Sequence, residues 1–488
     1  MKALLILWCA GLLLTVFNVT VDAQTITIRP GKKEMKEVVL DWILDTENLW
    51  VMSPDDLEKT AGKRNFVWQD KERTRARFNP DKYKFKLKGT EVGEVLVNFR
   101  DGKLCSVAVS VANKGDEDDI IDRTAFTNAT TAVKSMLSAA SGVKEEPRKK
   151  EEMITKAEGA VWRCKKALYI GEWLFLPLKR DEIDGWIWTT PAHGEFVRMR
   201  VMPPQLQLGV QLSKARATVT RPVLAARVKR EGTKAVLDTM PMVDQGSKGY
   251  CAVASFERVL RYYGADVDMH DLANLAETYG GTNPQKMKSA VFKVAQKLNM
   301  RTREPFFLKR KQYEIMFKEY NRVAKKEQKT EIDLNDSNWG DVDPQLLKTS
   351  RTASPDYAKF KQEVVQNINK GIPLMWALQL GLFWEDMIEE SWEANRYAVT
   401  KDDGSDDDKD AKEDAEEKKK EMEELRKKHP ARPPAYMSGG HMRLIVGYDT
   451  AKQLIYYTDS WGPGHEMKSM PIDQAWTATS AMFVLEPQ

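Results

Sequence analysis

Residues 242–264, MVDQGSKGYCAVASFERVLRYYG, constrain this chain more than any other stretch. A loop of glycine and polar residues gives way there to an amphipathic helix. Val253, Phe256, Val259, Leu260 and Tyr263 form its apolar stripe, and Gly264 ends it. Cys251 stands where the loop becomes helix. A helix N-terminus presents unpaired backbone N–H groups and the positive end of the dipole, a setting that favours thiolate over thiol. Six residues earlier, Gln245 offers an amide donor able to stabilise an oxyanion formed when a thiolate attacks a carbonyl. Two parts of a cysteine acyl-transfer site are present, and a base with a group to orient it must come from elsewhere.

Both are available near the C-terminus. His441 opens a predicted strand after Ser438-Gly439-Gly440, and Asp459 closes the next, 18 residues on. A hairpin with Asp449 in its turn sets the two side by side. A carboxylate bonded to one imidazole nitrogen fixes the ring and leaves the other nitrogen to face a nucleophile, for which Cys251 is the natural candidate. Each residue alone has a structural reading: a buried free cysteine, a hydrogen-bonding histidine, a turn aspartate. Their joint order and matching local settings favour chemistry.

The remainder of the chain sets the context. Its 488 residues allow two or three domains, 30% are charged and 42% hydrophobic, and a net charge of +4 gives no reason to expect a nucleic-acid partner. Lys2, the apolar run ALLILWCAGLLLTVF and Val21-Asp22-Ala23 predict a secretory signal peptide over 1–23, with no integral membrane association after its cleavage. Cleavage removes Cys9. Cys105 and Cys164 then either pair in an oxidising compartment or remain free thiols, leaving Cys251 as the odd cysteine. Residues 24–215 read as an N-terminal α+β domain. In it, two helices lie over 42–62, the second capped by Ser53-Pro54. A helix spans 122–140, strands alternate with turns, and seven tryptophans (Trp42, Trp50, Trp68, Trp162, Trp173, Trp186, Trp188) are read as core rather than groove. The Lys/Arg/Ala-rich stretch 216–236 reads as a solvated linker, and 401–434 as a low-complexity charged insertion forming a solvated arm. Helices are predicted over 271–277, 284–298 and 357–370, and strands over 373–380, 441–449, 453–461 and 481–486. His465 reads as a loop surface residue. His193, His270 and His429 have no partner at metal-ligand spacing, so no metal or other cofactor is expected.

The segment QGSKGYCAVASFERVLRYYG resembles the Gln-x5-Cys-plus-helix motif of papain-like cysteine peptidases, and GGHMRLIVGYD with YYTDSWG resembles their His strand and Asn-Ser-Trp-Gly segment. Asp459 stands in the asparagine position. The short GG–H…GYD…D pattern, with Gly371 and Pro373, looks closer to the bacteriocin-leader (double-glycine) peptidase-like branch. The resemblance covers residues 237–488. It implies an α+β fold with a papain-like peptidase domain, a helical part followed by an antiparallel sheet, preceded by the separate N-terminal domain. It further implies Cys251 as nucleophile, His441 as general base and acid, Asp459 as orienter, and Gln245 with the Cys251 N–H as oxyanion hole. Trp461 would shield the His–Asp bond. The function so implied is an extracytoplasmic cysteine peptidase acting on peptide or protein amide bonds through a thioester. A transpeptidase or amidase with the same triad, and a non-catalytic binding protein retaining the fold, remain open. The N-terminal domain is read as prosegment or recognition module.

Overall fold

The computed structural model describes residues 35–70, 72–78, 83–114, 121–148, 157–183, 186–204, 219–237, 240–246, 249–265, 267, 269–276, 278, 284–334, 339–384, 420, 423–434, 438–462 and 465–487. The predicted signal peptide and the acidic half of the 401–434 insertion lie outside them. Helices and sheets are mixed, and two hydrophobic cores form, one among residues 38–201 and one among residues 224–485.

The first core lies under an antiparallel sheet of eight strands. In chain order the N-terminal elements are β1 (Glu37–Val39), α1 (Pro54–Ala61), β2 (Val67–Trp68), β3 (Arg75–Phe78), β4 (Lys84–Leu87), β5 (Thr90–Val92), β6 (Val95–Arg100) and β7 (Lys103–Asn113). There follow α2 (Arg123–Ser141), β8 (Glu146–Pro147), β9 (Glu158–Arg163), β10 (Leu168–Leu176), the hairpin β11 (Lys179–Ile183) and β12 (Trp186–Thr190), and β13 (His193–Met202). The large sheet runs β2-β3-β6-β7-β13-β10-β9-β8. Ser53 and Asp56 form a reciprocal capping box on α1, as Ser53-Pro54 suggests. The expected helix before it is only two 3-10 turns, over 41–44 and 49–51. Trp162 is fully buried and Trp68 and Trp173 nearly so. Trp42 and Trp50 pack against the same core, while the Trp186 and Trp188 side chains lie outside the description. Cys105 and Cys164 are not joined by a disulfide.

Residues 221–237 are not a linker. They form α3 (Arg221–Ala226) and the hairpin β14 (Val228–Glu231) and β15 (Lys234–Leu237). Arg221, Lys229 and Arg230 are exposed as the composition suggests, while Arg227 and Lys234 are half-buried. The backbone is nevertheless paired, because Ala235 and Leu237 are buried and β15 joins the C-terminal sheet. Next come α4 (Cys251–Tyr262), α5 (Met269–Leu275), α6 (Pro284–Lys297), β16 (Met300–Phe307), α7 (Arg310–Lys326), α8 (Pro344–Thr352) and α9 (Pro355–Asn369). The chain ends in β17 (Leu374–Leu380), β18 (Gly439–Asp449), β19 (Leu454–Thr458), β20 (Lys468–Pro471), α10 (Ile472–Ala478) and β21 (Thr479–Pro487). The sheet order is β14-β15-β18-β17-β21-β16, with β19 also pairing β18 and β20 pairing β19. Strands β14–β16 precede or interrupt the helices, so the division into a helical half and a sheet half is blurred. The tail of the 401–434 arm is anchored: the Arg432 guanidinium donates to the Gly340 and Val342 carbonyls at 3.0 Å each.

Helix α4 is buried along residues 252–260 on every face. Val253, Phe256, Val259 and Leu260 have no exposed surface, and such a side chain contributes about 1.5–3 kcal/mol by leaving water. Ser255, Glu257 and Arg258 are equally buried, so the polar face expected in solvent is an interior surface that requires hydrogen-bond partners.

Gly371 follows α9 at φ +76°, and a Cβ there would run into the Leu224 carbonyl of α3. Gly371→Ala should cost about 2–5 kcal/mol, combining the left-handed backbone with overpacking, read as a lowered urea midpoint at unchanged slope. A loss under about 1 kcal/mol would mean that α3 moves aside freely.

Candidate active site

The pairing of β18 with β19 builds the centre of the site. Leu444 lies opposite Thr458, which places Asp459, the next residue, across from Arg443 and beside His441. Asp449 fixes the turn by accepting from the backbone N–H groups of Ala451 and Lys452 and from the Thr233 hydroxyl. His441 Nε2 meets Asp459 Oδ1 at 2.5 Å, and Arg443 Nε donates to Asp459 Oδ2 at 2.8 Å. Each carboxylate oxygen therefore has its own partner. Lys468 Nζ stands 3.8 Å from Oδ2.

Arg258 of α4 secures the same segment from beneath. Its guanidinium donates to the Asp459 carbonyl at 2.5 Å, the Thr458 hydroxyl at 2.6 Å and the Pro241 carbonyl at 2.7 Å. Burial pushes Arg258 down to about 10, against the opposing charges of Asp459 and Glu466. One residue thus ties the helix that begins at Cys251 to both the His–Asp hairpin and the loop leading to Gln245.

Cys251 is the first residue of α4, partly exposed, and no side chain caps that helix. It lies close enough to the His441 ring to help raise that ring's titration. Since Nε2 is committed to Asp459, Nδ1 is the nitrogen left for the thiol. The Trp461 ring stacks on His441 at 4.7 Å and 23°. The edge of His465 meets Trp461 at 5.5 Å, so His465 is a buried part of this cluster and not a loop surface residue. Gly462 turns the chain inward, so that the His465 carbonyl accepts from the Asp459 N–H and the Thr458 hydroxyl.

Gln245 is fully buried and pinned twice. Its N–H donates to the Ser460 carbonyl at 2.7 Å, and its Oε1 accepts from the Ser460 hydroxyl at 2.7 Å. Its Nε2 has no partner among the described residues. A buried amide donor left unsatisfied carries a desolvation cost of about 1–3 kcal/mol, which a ligand oxygen would relieve.

The electrostatics follow from these contacts. Burial opposes ionisation of Asp459, but the charges of Arg443 and His441 outweigh it and hold the carboxyl well below the usual carboxylate range. Burial likewise opposes protonation of His441, yet Asp459 and Cys251 raise it from 6.5 to about 9. The structure brings Cys251, His441, Asp459 and Gln245 into one cluster and adds Arg443, Arg258 and Ser460 to it. Two of the additions had a sequence signal: Arg443 shares a strand face with His441 two residues away, and Arg258 shares a helix face with Cys251 seven residues away. Among the described residues, no group of three His, Cys, Asp or Glu side chains is placed to hold a metal, and no helix is long and apolar enough to cross a membrane.

A helix opening on cysteine, packed against a sheet that carries histidine and aspartate, defines a cysteine-peptidase-like fold. The sequence pattern described as the Peptidase_C39 like family matches residues 237–482, half of the chain, and the chain belongs to that family. No curated protein matches it.

Because the folded His441 titrates above its ordinary value, its contribution to stability is complete below about pH 6.5 and is lost as pH rises through about 9. That of Asp459, held low, is present above the usual carboxylate range and lost only in strong acid. Wild-type stability should therefore fall by on the order of 1–3 kcal/mol between neutral pH and pH 10. In Asp459→Asn only Cys251 is left to oppose burial, and His441 should titrate well below about 9 when its ring is followed by NMR. A resonance still titrating near 9 in that variant would show that Asp459 is not what raises it.

Proposed function

We propose that this chain is a cysteine peptidase that cleaves amide bonds of peptide or protein substrates through a thioester, with Cys251, His441 and Asp459 as its triad and Gln245 as oxyanion donor. The observation that carries the reading is the buried, unpartnered Nε2 of Gln245 on a turn bonded to Ser460, the neighbour of the Asp459 that pairs with His441. Cys251 Sγ attacks the carbonyl carbon, a C–S bond forms, and the carbonyl π pair moves onto oxygen. Gln245 Nε2 and the Cys251 N–H receive that oxyanion. As it collapses the C–N bond breaks, and the departing nitrogen takes the proton from His441 Nδ1, leaving a thioester. Water then gives a proton to His441 and its oxygen attacks the thioester, which releases the acid and returns the thiolate and imidazolium.

Asp459 keeps the imidazolium oriented and compensated throughout. Arg443 keeps Asp459 ionised and occupies Oδ2, so Oδ1 is always the oxygen presented to the ring. The stacked Trp461 covers the ring face. We further place the site of action outside the cytoplasm, on the strength of the signal-like segment 1–23.

The full chain, mildly reduced, should be labelled by a peptidyl electrophile at Cys251 and should hydrolyse a peptide library. Cys251→Ala should lose both activities, and Gln245→Ala should lower kcat by about 10²–10³-fold while remaining folded. Labelling that persists in Cys251→Ala would overturn the assignment. Product in which an added amine replaces water would convert it to acyl transfer.

A further inference from the structure

Strand β3 reads Arg75-Ala76-Arg77-Phe78, and all four residues are buried. Ala76 and Phe78 enter the N-terminal core. An alternating strand would ordinarily turn its two arginines to water, but here they turn to the peptidase part. Arg75 Nη1 donates to Glu257 of α4 at 2.8 Å. Arg77 Nε donates to Glu94 at 2.9 Å, and its Nη1 lies 2.5 Å from Asp244 Oδ2. The same face bears Arg198 of β13, paired with Asp271 of α5, and Asn113 of β7, whose amide meets the Tyr250 hydroxyl at 3.4 Å. Asp244 and Tyr250 are the residues immediately before Gln245 and Cys251.

The contact at Asp244 is the most specific of these. Its Oδ1 accepts from the Gly246 N–H at 2.9 Å, bracing the turn that holds Gln245 between them. Gly246 has φ +62°, and a Cβ there would stand 2.7 Å from Arg77 Nη2. The guanidinium therefore lies against both neighbours of Gln245, its charge on one and its edge on the other. On the far side Gly462, next to Trp461, approaches Asp244 so closely that a Cβ would meet Oδ2 at 2.9 Å. The Gln245 turn is thus held between the N-terminal sheet and the segment after Asp459. Arg77 is 2% exposed, and its planar fork reaches Glu94 and Asp244 at once, which a lysine cannot do.

We propose that Arg77 is a positioning residue for the oxyanion site, holding the Gln245 turn through Asp244 and Gly246, so that the N-terminal region is a standing part of the peptidase and not a prosegment to be shed. The inference rests on the peptidase reading for its kinetic consequence alone; the positioning itself has an independent readout. Removing the fork takes away the cation shared by the buried Glu94 and the partly exposed Asp244 and frees the turn to shift. A displacement of about 1 Å in a catalytic donor costs on the order of a hundredfold in rate.

The test uses the full chain with Arg77→Gln, Arg77→Lys and Asp244→Asn, each alone and in a Gln245→Ala background. Arg77→Gln should lower kcat for a peptide amide by about a hundredfold with little change in KM. Iodoacetamide alkylation of Cys251, which forms no oxyanion, should stay within about twofold of wild type. In the Gln245→Ala background the same change should cost under about threefold, since the donor it places is already gone. Arg77→Lys should recover part of the rate, and Asp244→Asn should reproduce the loss. Amide exchange over residues 243–250 should accelerate in both Arg77→Gln and Asp244→Asn, while that of β6 and β18 stays unchanged. Equal loss of alkylation and hydrolysis, full additivity with Gln245→Ala, or unaltered exchange would each overturn the proposal. If Arg77→Gln does not fold, Asp244→Asn carries the same comparisons, its carboxylate being partly exposed at 17%. Faster exchange in the variants of a wild type that hydrolyses nothing would leave the positioning standing and remove the peptidase reading.

Discussion

A carboxylate without solvent contact is tolerable only if cations and donors replace the water it has lost, and Asp459 meets that requirement with His441, Arg443 and Lys468. The segment that carries it is fastened by Arg258, whose guanidinium spends three hydrogen bonds on Pro241, Thr458 and Asp459. Helix α4, the His–Asp hairpin and the Gln245 turn therefore converge on two buried arginines. Loss of either leaves a charge or several carbonyls stranded in the interior, so the geometry around Cys251 is bound to the stability of the C-terminal half of the chain.

The same rule explains why so many charged side chains lie inside this molecule. Glu257 accepts from Arg75 and the Met269 N–H, pairs in charge with Arg261, and joins β3, α4 and the start of α5. Arg351 fills a comparable position below the sheet, where it donates to the Thr477 and Thr479 carbonyls under the Trp476 ring. These are interior connectors between elements distant in sequence. An apolar side chain could fill their volume but would leave the backbone carbonyls they satisfy without donors.

The parts of this architecture legible in the sequence are those whose cause is local. Ser53-Pro54 announces α1 and Ser354-Pro355 starts α9, while Gly371 ends it. The Gly-Gly-His strand and the Asp449 turn announce the β18–β19 hairpin. The four candidate site residues are legible for the same reason, each sitting at an element boundary with a distinctive flank. What stayed hidden depends on partners far along the chain. The basic residues of 228–234 suggest a linker, and only the pairing of Val236 with Gly447 makes that stretch a sheet strand. The polar face of α4 suggests solvent, and only β3 and Asp459 turn it inward. Arg77 reads as an ordinary strand arginine, because its partner Asp244 is 167 positions later in the sequence.

The charged face of the N-terminal sheet also bears on how this site is kept in order. Apolar packing excludes water but tolerates small sliding, since dispersion and burial are nearly indifferent to shifts of a few tenths of an ångström. A guanidinium fork engaging two carboxylates is directional, and it fixes position as well as contact. Arg77, on Glu94 and Asp244, and Arg198, on Glu172 and Asp271, set two such constraints, and Arg75 adds a single contact to Glu257, so that α4, the turn before it and α5 are each held. Three separated points define a rigid placement, whereas one or two leave a hinge. On this account the N-terminal sheet serves as a jig for the Cys251 end of the site, as the β18–β19 hairpin does for the His441 end. The two grips meet at the Gln245 turn, where a misplaced donor would be most costly.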